Sequence, residues 1–131
     1  AGEHNDCVAM AKQFADRTHF VHLRSCYIFP TGNFTEASHL GGRGHLIELC
    51  RIFEKAEQEG KCNSGRRLPM RVDHGMTFTD EPGGVFDESN HGHNAGYTLL
   101  GRMFAMGQIQ GVIATVDDEL GIEYKQPGFY D

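Results

Sequence analysis

The 131 residues, 39% hydrophobic and 23% charged, have the balance of a globular chain long enough for one domain. A formal charge of -6 without any Lys/Arg run argues against a nucleic-acid partner, and no apolar run approaches ~18 residues, so no membrane span is expected. The four cysteines, Cys7, Cys26, Cys50 and Cys62, form no C-x-x-C pair and read as reduced thiols of a cytoplasmic protein, with Cys50 in the core.

Asn5 and Asp6 can cap a helix that carries Val8, Ala11 and Phe14-Ala15 on one face and ends near Asp16-Arg17. Thr18 to Leu23 is the first strand candidate. Ser25 to Gly44, rich in Gly, Ser, Thr and Pro, reads as a long loop of the kind that carries function. From His45 to about Glu59 the apolar positions Leu46, Leu49, Cys50 and Phe53 follow helical spacing, with Glu48, Arg51, Glu54 and Lys55 outward. After a polar linker, Gly60 to Arg67, the run Leu68 to Val72 is the second strand candidate.

A second long loop runs from Met76 to about Ala95. Tyr97 to about Gln110 reads as a helix with Leu99, Leu100, Met103, Phe104 and Met106 as its apolar face. Gly111 to Val116 fits either more helix or a short strand, and Ile122 to Asp131 reads as a tail. Strands alternating with helices imply an α/β fold of βα units with parallel strands. Because the long loops follow the strands, chemistry is expected at the strands' carboxyl ends.

Two segments place metal-type ligands where an apolar run stops: His19-Phe-Val-His22-Leu-Arg24 and Arg71-Val-Asp73-His74-Gly75. His22 alone also reads as a hydrogen-bonded core histidine. Asp73 after a buried strand needs a cation to offset its desolvation, either a metal or an arginine such as Arg71 or Arg24. His74 and Tyr97 are of the types that donate and accept protons, although a loop histidine and a helix-start aromatic are the plain readings. Glu36 and His39 sit in the first loop and could line the same pocket, although solvated side chains are the default there, and His91-Gly-His93, only weakly like a metal-binding tract, reads as surface loop.

Four segments together are more specific than their spacing. Asp16-Arg-Thr-His-Phe-Val-His-Leu-Arg-Ser25, Asn33-Phe-Thr-Glu-Ala-Ser-His-Leu40, Leu68-Pro-Met-Arg-Val-Asp-His-Gly75 and Asn94-Ala-Gly-Tyr-Thr-Leu-Leu-Gly-Arg102 resemble, in order, motifs of the mannonate dehydratase family. The resemblance runs from about Asn5 to Gly121. It implies the C-terminal part of a single (β/α)8 TIM barrel of the xylose-isomerase-like kind, covering 1–131 with 122–131 as a tail. It also implies a hydro-lyase that removes water from D-mannonate to give 2-dehydro-3-deoxy-D-gluconate in hexuronate breakdown.

Carried over by motif, His22 and Asp73 correspond to metal ligands and His74 and Tyr97 to the acid and base. Arg24 and His39 fall where contacts to the sugar acid are expected. The metal would be Mn(II), with Fe(II) as the alternative, both suited to O/N ligands. The family's other two ligands, a His and a Cys, fall upstream of Ala1, and Ala95 stands where the family has Pro. The chain is thus expected to need an N-terminal barrel portion and to be inactive alone, and a homo-oligomer is left open. The competing readings are a non-catalytic βα interaction domain and another metal-dependent sugar isomerase or lyase.

Overall fold

The computed structural model describes residues 5–76 and 99–123. Helix α1, Cys7–Phe14, starts at Asp6, whose Oδ1 accepts hydrogen bonds from the amides of Val8 and Ala9, both at 3.0 Å. These are two of the donors that a helix start leaves unpaired. A 3-10 turn, Ala15–Arg17, leads into strand β1, Val21–Leu23. Helix α2, Leu46–Gln58, and strand β4, Met70–Val72, complete a βαβ unit in which β1 and β4 pair in parallel, Val21 opposite Met70 and Leu23 opposite Val72. Mixed helices and parallel strands make this an α/β fold.

The region expected as one long loop holds an antiparallel hairpin, β2 (Cys26–Ile28) and β3 (Phe34–Glu36). Its turn closes with hydrogen bonds Phe29 N to Asn33 O and Gly32 N to Phe29 O, with Gly32 at φ 89°, a left-handed conformation that glycine adopts without cost. Cys-Tyr-Ile and Phe-Thr-Glu are strand-forming triplets, and the Gly/Pro-rich composition around them hid the pairing.

Helix α3, Leu99–Leu120, runs straight through the ambiguous Gly111 to Val116 stretch. Its buried side is Gly101, Ala105, Ile109, Val112 and Val116, spaced by four, four, three and four residues. The face expected to be buried, Leu99, Leu100, Met103, Phe104 and Met106, is exposed among the described residues. The helix turns its small residues inward because the backbone after β4 passes close by. A Cβ on Gly75 would clash with the carbonyl group of Gly101 and lie 2.8 Å from the amide nitrogen of Arg102. At 22 residues, or about 33 Å, α3 is also long and apolar enough to cross a membrane, contrary to expectation. Interspersed Gly and Gln break its apolar residues into short runs, and it packs on α2 and β4 through its small-residue side.

Two apolar clusters flank α2. Ala11 and Ala15 meet Phe53, Ala56, Cys62 and Leu68 on one side. Leu23, Leu46 and Cys50 meet Ile109, Val112 and Val116 on the other. Val21, Leu49 and Met70 touch both, so the parallel strand pair ties the halves together. Cys50 is fully buried as expected, and burial pushes its thiol up to about 12. Glu54, expected to point outward, is buried, because α3 covers that side of α2 and sets the buried Asp117 near it. Burial, then the Asp117 charge, push the Glu54 carboxyl from an ordinary 4.5 up to about 7.

Two stability tests follow from this packing. Gly75→Ala forces the Asp73-His74-Gly75 segment away from α3 and should cost about 1–3 kcal/mol in denaturant unfolding; an unchanged midpoint would mean the two backbones are not in contact. Glu54 has a raised pKa in the fold, so its favourable contribution is present below the unfolded value of 4.5 and is lost as pH rises through about 7. Glu54→Gln should therefore gain on the wild type across that window, by up to about 1.4 kcal/mol per pH unit. A constant difference between the two across the window would contradict the buried position of Glu54.

Candidate metal and acid–base site

The parallel ladder decides which residues meet. Its last hydrogen bond runs from Asp73 N to Leu23 O at 3.1 Å, so the residues just beyond each strand, Arg24 and Asp73, emerge together at the carboxyl ends. Two residues earlier, His22 lies opposite Arg71 and points away from the buried Leu23, as strand alternation requires. Its ring stacks edge-on against Phe20, with centroids 4.8 Å apart.

From there a line of charged and polar groups runs inward. His22 Nδ1 is 3.5 Å from Asp73 Oδ1, Asp73 Oδ2 is 3.5 Å from His74 Nε2, and His74 Nδ1 is 3.6 Å from Glu36 Oε1. These separations are electrostatic contacts, longer than good hydrogen bonds. At the inner end Arg24 grips Glu36 with both Nε and Nη2; Nε lies 3.0 Å from Oε1 and 3.3 Å from Oε2. Exposure falls along the line, from 48% for the His22 side chain through 29% for Asp73 and 14% for His74 to 5% for Glu36.

The Glu36 carboxylate holds the Arg24 guanidinium above its usual pKa, chiefly through these hydrogen bonds. The Phe34 ring lies 5.2 Å from the same guanidinium carbon, a cation–π contact. Cys26, paired across the hairpin with Glu36, has its thiol pushed up by burial first and by the Glu36 charge second.

His39 is buried behind this line. Its Nε2 is 3.0 Å from Leu23 O; a carbonyl only accepts, so Nε2 carries the hydrogen and Nδ1 is left as an acceptor without a partner among the described residues. The backbone amide of His39 donates to Gln108 of α3 at 3.0 Å, and that side chain donates in turn to Ser38 Oγ at 2.7 Å. The loop after the hairpin is thereby pinned between β1 and α3.

Of the sequence candidates, the fold brings together His22, Arg24, Asp73 and His74, with His39 one layer deeper. Tyr97 and His91-Gly-His93 lie outside the described residues. Glu36, a possible pocket residue whose default reading in the first loop is solvated, is a buried member of the group; its spacing from Arg24 carries no periodic signal, and only the unforeseen hairpin brings the two together. Asp73 faces two histidines rather than Arg71.

As chemistry, the group offers a nitrogen and a carboxylate oxygen side by side near solvent, which suits a hard divalent cation. It offers Arg24 for a carboxylate and His74 for proton transfer. Among the described residues no cluster of three or more His, Cys, Asp or Glu side chains is arranged to hold a metal.

The protein-family model for D-mannonate dehydratase (UxuA) matches residues 1–122. Mannonate dehydratase 2 of Agrobacterium fabrum is 37% identical over 118 residues, covering 88% of this chain and 28% of that protein. The mannonate dehydratase of Saccharophagus degradans is 35% identical over 115 residues, covering 86% and 28%. That of Brucella canis is 32% identical over 114 residues, covering 86% and 26%. The chain therefore spans little more than a quarter of the length of these relatives, and it belongs to the D-mannonate dehydratase (UxuA) family.

Proposed function

We propose that this chain is the C-terminal part of a (β/α)8 barrel, a single domain, that dehydrates D-mannonate to 2-dehydro-3-deoxy-D-gluconate. The observation that carries the reading is the junction of β1 and β4, where His22, Arg24, Asp73 and His74 converge at the carboxyl ends of two parallel strands. That is where barrel enzymes keep their chemistry. Family membership and the names of the relatives support the substrate.

Two features support a missing barrel portion as partner. Among the described residues β4 pairs with β1 alone, and a groove of about 820 Å³ follows β4 between Arg67, Met70, Val72 and the α3 residues Met106 and Ile109. The exposed apolar residues of α3 form a second surface of the kind that proteins cover, by the rest of a barrel or by another copy. The hexuronate pathway and a cytoplasmic setting accompany the family reading.

The reaction removes the proton at C2, next to the carboxylate, and the hydroxyl at C3, which leaves as water once protonated; the resulting enol then becomes the ketone. His22 Nδ1 and Asp73 Oδ1 would hold Mn(II), or Fe(II), with donors from elsewhere in the protein. When bound, the cation supplies polarisation of substrate oxygens and offsets the negative charge that builds as the C2 proton leaves. His74, only 14% exposed, and Tyr97 divide the proton tasks, one taking the C2 proton and the other protonating the leaving hydroxyl. Arg24, anchored on Glu36 yet 37% exposed, meets the substrate carboxylate. A contact from His39 to the sugar acid would be made at Nδ1.

The test uses the full-length protein, D-mannonate and Mn(II), following the keto product. Activity should vanish on chelation and return with Mn(II). His74→Ala should lower kcat by about 10²–10⁴-fold with Mn(II) affinity kept, whereas Asp73→Ala should weaken Mn(II) binding itself. Turnover that survives chelation, or full Mn(II) affinity in Asp73→Ala, would overturn the assignment. A wild type that binds Mn(II) yet turns over a different sugar acid would move the reading to another lyase or isomerase.

A further inference from the structure

We propose that Glu36 is a positioning residue of the site, holding the Arg24 guanidinium and the His74 ring in one fixed arrangement; this rests on the dehydratase reading above. Three observations carry it. Glu36 is 5% exposed on β3, a depth at which a carboxylate persists only with polar partners. It receives two nitrogens of Arg24, and its Oε1 stands 3.6 Å from His74 Nδ1. Asp73 Oδ2 occupies the other side of that ring, 3.5 Å from Nε2, so His74 is bracketed by two carboxylates that limit its rotation.

Glu36 itself is too deep to meet a substrate, and it acts through its two neighbours. Arg24 has five donors and a long side chain with many rotamers; the grip on Glu36 uses its Nε–Nη2 edge and leaves the side chain 37% exposed. The β2–β3 hairpin thereby gains a purpose: it delivers one carboxylate from twelve residues downstream to the end of β1. The backbone around it is held independently, by Ala37 N to Ser25 O at 2.9 Å and Arg43 N to Cys26 O at 3.1 Å. Removing the Glu36 charge should accordingly loosen the two side chains more than the hairpin.

The experiment compares wild type, Glu36→Gln and Glu36→Asp in the full-length protein, by kinetics with D-mannonate and by crystal structure. Glu36→Gln should lower kcat by about 10–100-fold, the range for groups that orient a reacting side chain, and should raise KM as Arg24 loses its anchor. Glu36→Asp, which keeps the charge, should recover part of both. Adding Glu36→Gln to Arg24→Gln should raise KM little further, since Glu36 acts on substrate binding only through Arg24. A purely structural role would lower the fraction of active protein at constant KM. In the crystal, Arg24 and His74 should leave their wild-type positions in Glu36→Gln while β2 and β3 stay paired. Unchanged side-chain positions, or unchanged kcat and KM, would overturn the proposal. A wild type inactive on D-mannonate would overturn the dehydratase reading instead, and the crystal comparison would still decide the role of Glu36.

Discussion

The carbonyl oxygen of Leu23 takes the last ladder bond of the parallel strand pair, from Asp73 N at 3.1 Å, and also faces His39 Nε2 at 3.0 Å. Three segments far apart in sequence are fixed at that atom: the end of β1, the end of β4, and the loop after the hairpin. Slipping the register by one residue would turn His22 inward and Leu23 outward, exchanging a candidate ligand for a core residue. The apolar clusters on either side of α2 hold the register because Val21, Leu49 and Met70 belong to both. Burial of aliphatic side chains thus sets the strands, and the strands set the distance between His22 and Asp73.

Around that frame the polar groups are graded by depth. Glu36 is the innermost group, where loss of Arg24 would leave its charge buried without compensation, typically about 3–5 kcal/mol. His22 and Asp73 form the outer pair, open enough to exchange a ligand. His74 lies between them. Gly75 follows at once because the backbone there must touch Gly101. That one contact joins two segments of the chain, Arg71–Gly75 and the start of α3, that the sequence shows only as separate motifs.

Local pattern made much of this legible. Asp6 as a cap, the α2 face of Leu46, Cys50 and Phe53, the strand ending at Leu23 and the one ending at Val72 all follow from spacing and capping chemistry. What spacing missed depends on partners remote in sequence. Glu54 looks like an outward residue until α3 covers it, and the Leu99–Met106 side looks like core until Gly75 claims the small-residue side. The hairpin had a readable signal, two strand-forming triplets around Pro30-Thr-Gly32-Asn33, masked by the loop-like composition on both sides. Glu36 went with it. Its importance comes from Arg24 and His74, and no single stretch of sequence contains all three.

We propose that the β1–β4 ladder supplies two ligands, His22 and Asp73, to one metal centre. The most direct measurement is the anomalous diffraction of the full-length protein crystallised with Mn(II). The account predicts a strong peak bonded to His22 nitrogen and Asp73 oxygen at about 2.0–2.3 Å, with His74 next to it but not coordinating. A fully occupied Mn(II) elsewhere, with His22 and Asp73 contacting only each other, would contradict it.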